Sequence, residues 1–413
     1  IPSFGPTEPI GVIVVTTKSN RRSGDSRQAI VDVILASTVP SSTLSNKNQV
    51  RSFLAAYFAD VPFEDLEGRS EAVMARISMD HLEFGKTRRQ GEALLRIYNP
   101  TEKEHGYESA FTFVEMVNDD MPFLVDSVAA AINRQNLGVH ITVHPIIHVR
   151  RNSKGGLEAI ADPDDDDALS ESYIRFAITR ETDPEALETL HDEIAKVLSD
   201  VRVAVRDWGK MRNRMRETRD LLQQGPKGAD PLVRSESQAL LDWMADEHFT
   251  FLGYREYTLE RRGKRQFLAA VPGTGLGILS HEDSKHPPIE LTTEMQRLTR
   301  SRDWLILTKA NSRSTVHRSA FLDYVGVKVY DDKGQVIGER RFLGLLTSIA
   351  YSESPTKIPL LRHKVRRIFE RAHVEETGHR AKALLHIIET YPREELFQSS
   401  TADLTRTTIG ILN

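Results

Sequence analysis

Hydrophobic and polar positions divide this chain into stretches of different period. Over residues 29–98, AIVDVILAS, NQVRSFLAAYFADV and SEAVMARISMDHLEFGKTR place apolar residues three and four apart, the period of helices with one buried face. Short loops are expected at Pro40 and Pro62. From residue 99 the pattern changes. AFTFVEMV reads as a strand that ends at Asn118 and Asp119, and Pro122 then opens a helix through FLVDSVAAAINRQNL. Gly138 is placed to stop that helix. VHITVHPIIHVRR and SYIRFAITR read as strands, DPEALETLHDEIAKVLSDV as an amphipathic helix, and VRVAVRDW as a short closing strand. The order is β-α-β-β-α-β, the split βαβ arrangement.

A charged helix and a Gly/Pro linker occupy 206–231. The helix SESQALLDWMADE then leads into FTFLGYREYTL, RQFLAAV, DWLILTKA, DYVGVKVYD and QVIGERRFLGLLTSIAY, five strand candidates. VYDDKGQVI is a hairpin signal with Asp332, Lys333 and Gly334 at the turn. Residues 352–396 return to the helical period, and the final TIGILN is an apolar run without a cap, expected of a chain that continues. The fold class is therefore α+β. It is read as a flexible tail (1–28), a helical lead-in (29–106), a βαββαβ domain (107–205), a connecting helix and linker (206–231), an antiparallel-sheet domain (232–351) and a helical segment (352–413).

Composition narrows the chemistry. A length of 413 residues favours two or three domains. Net charge is −4, which argues against nucleic acid as the main partner. Cysteine is absent, so disulfides, thiolate metal sites and cysteine nucleophiles are excluded. No apolar run approaches the roughly 20 residues that span a bilayer, and a cytoplasmic location is expected.

The most informative segment runs from Asn118 through Asp119, Asp120, Met121, Pro122 and Phe123 to Asp126. It joins a strand to a helix whose first N–H groups lack intrahelical partners, a natural place for a carboxylate. Its aspartates could take an ammonium group; the plainer reading makes Asp120 a cap and Asp119 a turn former. The turn at Gly138, Val139 and His140 completes the candidate site. Gly273-Thr-Gly-Leu-Gly277 lacks the sixth-position glycine and the βαβ context of a dinucleotide fingerprint. His140, His144 and His148 would share one face of a continuous strand, but zinc would need a further ligand. No GxSxG or SxxK motif occurs, and the acidic run Asp162–Asp167 lacks the EF-hand pattern. No catalytic, cofactor-binding or metal residue is expected.

VNDDMPFLVDSVAAAINRQNLGVHITVHPIIHVRR, FTFLGYREYTL, SPTKIPLLRHKV and YPREELFQ together resemble the amino-terminal region of the large bacterial NAD-dependent glutamate dehydrogenases. The resemblance implies an ACT-like unit at 107–205, a PAS-like unit at about 232–351, and a parent enzyme that converts L-glutamate to 2-oxoglutarate and ammonium with NAD. It implies a regulatory or assembly region with no cofactor of its own. Its partners would be further copies of itself, a catalytic domain and an amino-acid effector. Met121-Pro122-Phe123-Leu124 stands where ligand-binding ACT domains usually carry Pro-Gly.

Overall fold

The computed structural model describes residues 31–38, 43–44, 46–59, 61, 70–226, 228–263, 265–280, 287–301, 303–375 and 377–412. The tail at 1–28 and the loops at Pro40 and Pro62 lie outside them. The chain forms two compact units that divide between Leu198 and Ser199.

The first unit is built on a six-stranded antiparallel sheet of order β1-β2-β6-β4-β5, with β3 also on β6. Its strands are β1 Leu94–Tyr98, β2 Phe111–Asp119, β3 Val139–Val143, β4 Ile146–Arg151, β5 Leu157–Ile160 and β6 Leu169–Thr179. The segment expected as one strand over 139–151 is two, because Pro145 cannot donate to the ladder. The two pieces still lie in line along β6: Val139–Val143 is registered with Arg175–Ile178 and Ile146–Val149 with Leu169–Ser172. Helices α1 (Lys47–Tyr57) and α2 (Glu71–Phe84) bury Val50, Phe53, Leu54 and Tyr57, and Met74, Ala75, His81 and Leu82. That spacing gives each helix a single apolar stripe. Both stripes pack against Val117, Ile147, Val149 and Tyr173 of the sheet. The helical lead-in is thus part of the sheet's own core. Helices α3 (Leu124–Arg134) and α4 (Pro184–Leu221) are joined by an Arg134 Nε–Glu193 Oε1 ion pair of 2.7 Å.

The closing strand expected at VRVAVRDW is absent, because α4 runs unbroken through 201–208. Alternating Val201, Val203 and Val205 imitate a strand locally. The buried set Leu190, Ile194, Val197, Leu198, Val201 and Ala204 nevertheless follows the helical period. Packing of that stripe overrides the β propensity of valine. The sheet edge beside β2 is filled instead by β1, inside the segment read as helical; its five residues are too few to establish a period.

The second unit begins within α4, and its next helix is α5 (Pro231–Trp243), whose N-cap Asp230 accepts from the Leu232 N–H at 2.9 Å. A kinked turn, Met244–His248, follows, in which Asp246 (φ −99°, ψ 60°) and Glu247 (φ 67°) leave the helical region. The sheet then comprises β7 Phe249–Arg262, β8 Arg265–Ala270, β9 Leu276–Gly277, β10 Ile289–Glu290, β11 Leu305–Arg313, β12 Phe321–Tyr330 and β13 Val336–Leu346. Its order is β10-β8-β7-β13-β12-β11, with β9 on β7, and every pairing is antiparallel. The β12–β13 turn is where the sequence puts it: Gly334 (φ 74°) donates to the Asp331 carbonyl at 2.9 Å. The last strand stops at Leu346, and Ser348–Ser352 is a short helix, not strand. Helices α6 (Leu361–Ala372), α7 (His379–Thr390), α8 (Arg393–Gln398) and α9 (Thr401–Leu412) complete the unit. Their Leu361, Val365, Ile368, Leu384, Ile388, Leu396 and Leu404 join Phe251, Val325, Val327 and Phe342 of the sheet in one core. Among the described residues, no helix is long and apolar enough to cross a membrane.

Candidate functional site

The β2–α3 connection contains the first group of expected site residues, and most of them are tied into the protein. Asn118 is buried. Asp119 sits at the end of β2 directly opposite Glu171 of β6, a like-charge pairing that would be repulsive alone. Arg88, whose side chain has no exposed surface, lies between them. Its Nη2 reaches Asp119 Oδ1 at 2.8 Å and Glu171 Oε1 at 2.6 Å. The other Asp119 oxygen accepts from the Gly91 N–H at 2.9 Å. Arg151 closes the network, with Nε and Nη2 on the two Glu171 oxygens at 2.6 and 2.7 Å. Asp119 therefore anchors the approach to β1. It is not the loose turn former expected from its neighbours.

Asp120 is exposed and accepts from Ser172 Oγ at 2.7 Å, and its N–H donates to the Ser170 carbonyl. Asp120 is not the helix cap: the N-cap of α3 is Phe123, in the left-handed region at φ 74°. The Phe123 side chain makes no capping hydrogen bond, and Asp126 stands exposed in the first turn of α3. Pro122 is exposed, and Met121 and Phe123 are half-buried. This end of the sheet thus places the start of α3 beside Asp120 and Asp126.

The second group lies elsewhere. Val139 is registered with Ile178, whereas Asp119 is registered with Glu171. At about 3.4 Å per residue, the two groups are roughly 24 Å apart along β6. Gly138 and His140 both meet Thr179: the Gly138 N–H donates to its hydroxyl at 3.1 Å, and His140 Nε2 is 3.1 Å from the same oxygen. The three histidines also part company. His140 falls at a register shift, His144 in the break between β3 and β4 beside Ser172, and His148 against Ser170. Among the described residues, no cluster of three or more potential ligands could hold a metal.

A second ionic network crosses the sheet's midline. Glu115 is fully buried and directly opposite both Arg96 on β1 and Arg175 on β6. Arg96 Nε donates to it at 2.8 Å and Tyr98 Oη at 3.0 Å, and Arg175 Nε lies at 3.5 Å. Behind it, His81 Nδ1 accepts a hydrogen bond from Tyr57 Oη (3.0 Å) and its Nε2–H donates to the Met116 carbonyl (3.3 Å). Burial pushes the His81 imidazole down to about 4. Burial would raise the Glu115 carboxyl, but His81, Arg175 and Arg96 together hold it below its ordinary value. The sequence carried a signal for this network, since Glu115 and Arg175 interrupt otherwise apolar strands.

The glycine-rich segment 273–277 does not fit a dinucleotide. It runs from a turn into the two-residue strand β9, and among the described residues no α-helix starts directly after it to offer its N-terminus to a pyrophosphate. Gly277 (φ 59°) is required by packing, because a Cβ there would lie 2.1 Å from the Leu252 carbonyl oxygen. Its N–H donates to Asp207, whose carboxyl is held down to about 2 by Arg206.

Fold and loop together define an α+β chain built around a βαββα sheet domain with helices on its amino-terminal side. Comparison with known families gives this class its place. Residues 53–194 match the model of the glutamate dehydrogenase ACT1 domain, and residues 358–413 match glutamate dehydrogenase helical motif 1. The chain is 34% identical over 373 residues to the NAD-specific glutamate dehydrogenase of Halomonas elongata. It is 33% identical over 370 residues to that of Pseudomonas aeruginosa. Each alignment covers 88% of this chain and 23% of the relative. The Mycobacterium tuberculosis enzyme of the same description is 25% identical over 78% of this chain and 19% of its own length. The chain is therefore similar to an amino-terminal fragment of the NAD-specific glutamate dehydrogenases. It spans less than a quarter of the length of the Halomonas elongata and Pseudomonas aeruginosa relatives.

Proposed function

We propose that this chain is a non-catalytic regulatory and assembly region of a large cytoplasmic enzyme. That enzyme would convert L-glutamate to 2-oxoglutarate and ammonium with NAD bound outside the residues described. The observation that carries the reading is the ACT1 match over residues 53–194, which coincides with the sheet and helices of the first unit. The effector would be a small amino acid at the β2–α3 loop, its carboxylate at the start of α3 and its ammonium group near Asp120 and Asp126. Because Gly138, Val139 and His140 lie at the far end of β6, they would serve a second contact, not the same ligand. The second unit would be a PAS-like module over about 232–351. Its support is an antiparallel sheet in which β7, first in sequence, sits between β8 and β13. Binding would act on the catalytic part through a difference in affinity between its states.

A second reading, a ligand-free scaffold for a homo-oligomer, is favoured by one observation. Asp119 is bound by Arg88 and the Gly91 N–H, which removes one carboxylate from the loop's binding capacity. Thermal unfolding against the common amino acids decides between them. A ligand at one hundred times its dissociation constant adds about 2.7 kcal/mol. A selective shift with one amino acid, lost in Asp120→Ala, supports sensing. No shift, with mass rising with concentration in light scattering, supports the scaffold. Neither reading expects NAD reduction with glutamate by this chain alone.

A further inference from the structure

The second unit holds a serine and a lysine whose pairing the reading above does not use. Lys328 follows Val327 on β12, and Val327 joins the core with Phe342. Alternation along the strand turns Lys328 to the opposite face of the sheet. Its backbone N–H donates to the Trp304 carbonyl at 2.9 Å. That pairing brings the residues just before β11, which follow the helix Thr293–Arg300, alongside β12. Ser301 is the first residue after that helix. Lys328 Nζ donates to its hydroxyl oxygen at 2.8 Å and to its carbonyl at 3.0 Å.

The lysine is sequestered and the serine is not. Lys328 is 2% exposed, whereas Ser301 is half-buried and open to a small molecule. Among the described residues, the ammonium has only Ser301 as a hydrogen-bond partner. Glu339 stands directly opposite on β13, but its carboxylate is taken up by Tyr324 and Arg341. Desolvation without a paired anion disfavours the charged form. Burial accordingly pushes the Lys328 amine down to about 8, against the pull of Asp303 and Glu339.

Lys364 offers a comparison within the same unit. Burial pushes it down to about 8 as well, but it donates to the carbonyls of Leu396, Phe397 and Ser399, with no hydroxyl among its partners. A lysine that only holds a helix end needs carbonyls and nothing more. Lys328 holds a hydroxyl besides. A serine within hydrogen-bond reach of an amine that is partly neutral near pH 8 has the arrangement of a nucleophile with its general base. Serine–lysine pairs are one of the recurring variants of that arrangement. The two residues are far apart in sequence, so no local motif announces them.

We propose that Ser301, activated by Lys328, is an acyl-acceptor site for small activated esters and thioesters. Ser301 Oγ attacks the acyl carbonyl while the neutral Lys328 Nζ takes the hydroxyl proton. The bond from the acyl carbon to the leaving oxygen or sulfur breaks, and the ammonium returns the proton to that atom. The products are an O-acylserine and a free alcohol or thiol, with no other reactant. The site does not depend on the amino-acid effector proposed above.

The test treats the whole chain with p-nitrophenyl acetate and maps acetylation by peptide mass spectrometry. Ser301 should be acetylated at least about a hundredfold faster than Ser235, an exposed serine whose hydroxyl meets only the Leu232 carbonyl. The Ser301 rate should rise with pH and level off above about 8, where Lys328 has given up its proton. An unassisted hydroxyl reacts in proportion to hydroxide and shows no plateau. Lys328→Met should remove the excess rate at Ser301 and leave Ser235 unchanged. A lysine that serves only to hold the helix end predicts none of these results. Equal rates at Ser301 and Ser235, a Ser301 rate that keeps climbing with pH, or undiminished acetylation of Ser301 in Lys328→Met overturns the proposal. The first two comparisons use the unaltered chain and stand even if Lys328→Met fails to fold.

Discussion

Acidification from pH 7 to 5 should destabilise the first unit through His81. In the folded chain its imidazole is enclosed by Tyr57, Phe84 and Tyr173 and is pushed down to about 4. In the unfolded chain it titrates near 6.5. Between these values the unfolded chain binds a proton that the folded chain does not, so stability falls as pH falls. The contribution is full above 6.5 and exhausted near 4. A separation of about 2.5 units corresponds to about 3 kcal/mol, of which about 2 kcal/mol is lost by pH 5. Glu115 does not confuse this window. Its folded value is lowered, so its own contribution is present above its unfolded value of about 4.3 and is lost only below it. The three tryptophans, Trp208, Trp243 and Trp304, all lie in the second unit. Amide hydrogen exchange at Met116 and Val117, corrected for intrinsic rates, is therefore the suitable local measure. His81→Gln keeps a partner for both Tyr57 and the Met116 carbonyl but cannot titrate. It should flatten the pH dependence between 7 and 5 by about 2 kcal/mol, whatever its stability at pH 7. Equal slopes in the two proteins would refute the reasoning.

Three further outcomes follow from the packing. Glu171→Ala leaves Arg88 and Arg151 buried without their shared carboxylate and should cost about 3–5 kcal/mol in thermal unfolding; a cost under about 1 kcal/mol would mean that the network is solvated in practice. Gly277→Ala sets a Cβ against the Leu252 carbonyl at positive φ, so the second unit should lose more than about 2 kcal/mol by tryptophan-monitored urea unfolding, and a neutral result would show that β9 can shift. Asp230→Ala removes the cap of α5 and should cost about 1 kcal/mol by the same assay.

Much of the fold was legible in the chain itself. Helices α1, α2, α3, α5, α6 and α7, strands β2, β6, β7, β12 and β13, and the Gly334 hairpin all follow from apolar period and turn chemistry, which act within a few residues. The family was legible too, because several ordered segments carry it. The sequence could not decide between strand and helix at 201–208, where valines permit both; the tertiary stripe from Leu190 to Ala204 selects the helix. Nor could it give β1 its place beside β2, since strand partners are set by long-range pairing and not by local pattern. The candidate site divides the same way. Its loop and the start of α3 are local features and were found. That Asp119 is held by Arg88, 31 residues earlier, and that Gly138–His140 lie at the other end of β6, are consequences of register. Charges within an apolar strand signal that a buried partner exists, but only the folded sheet selects which residue it is.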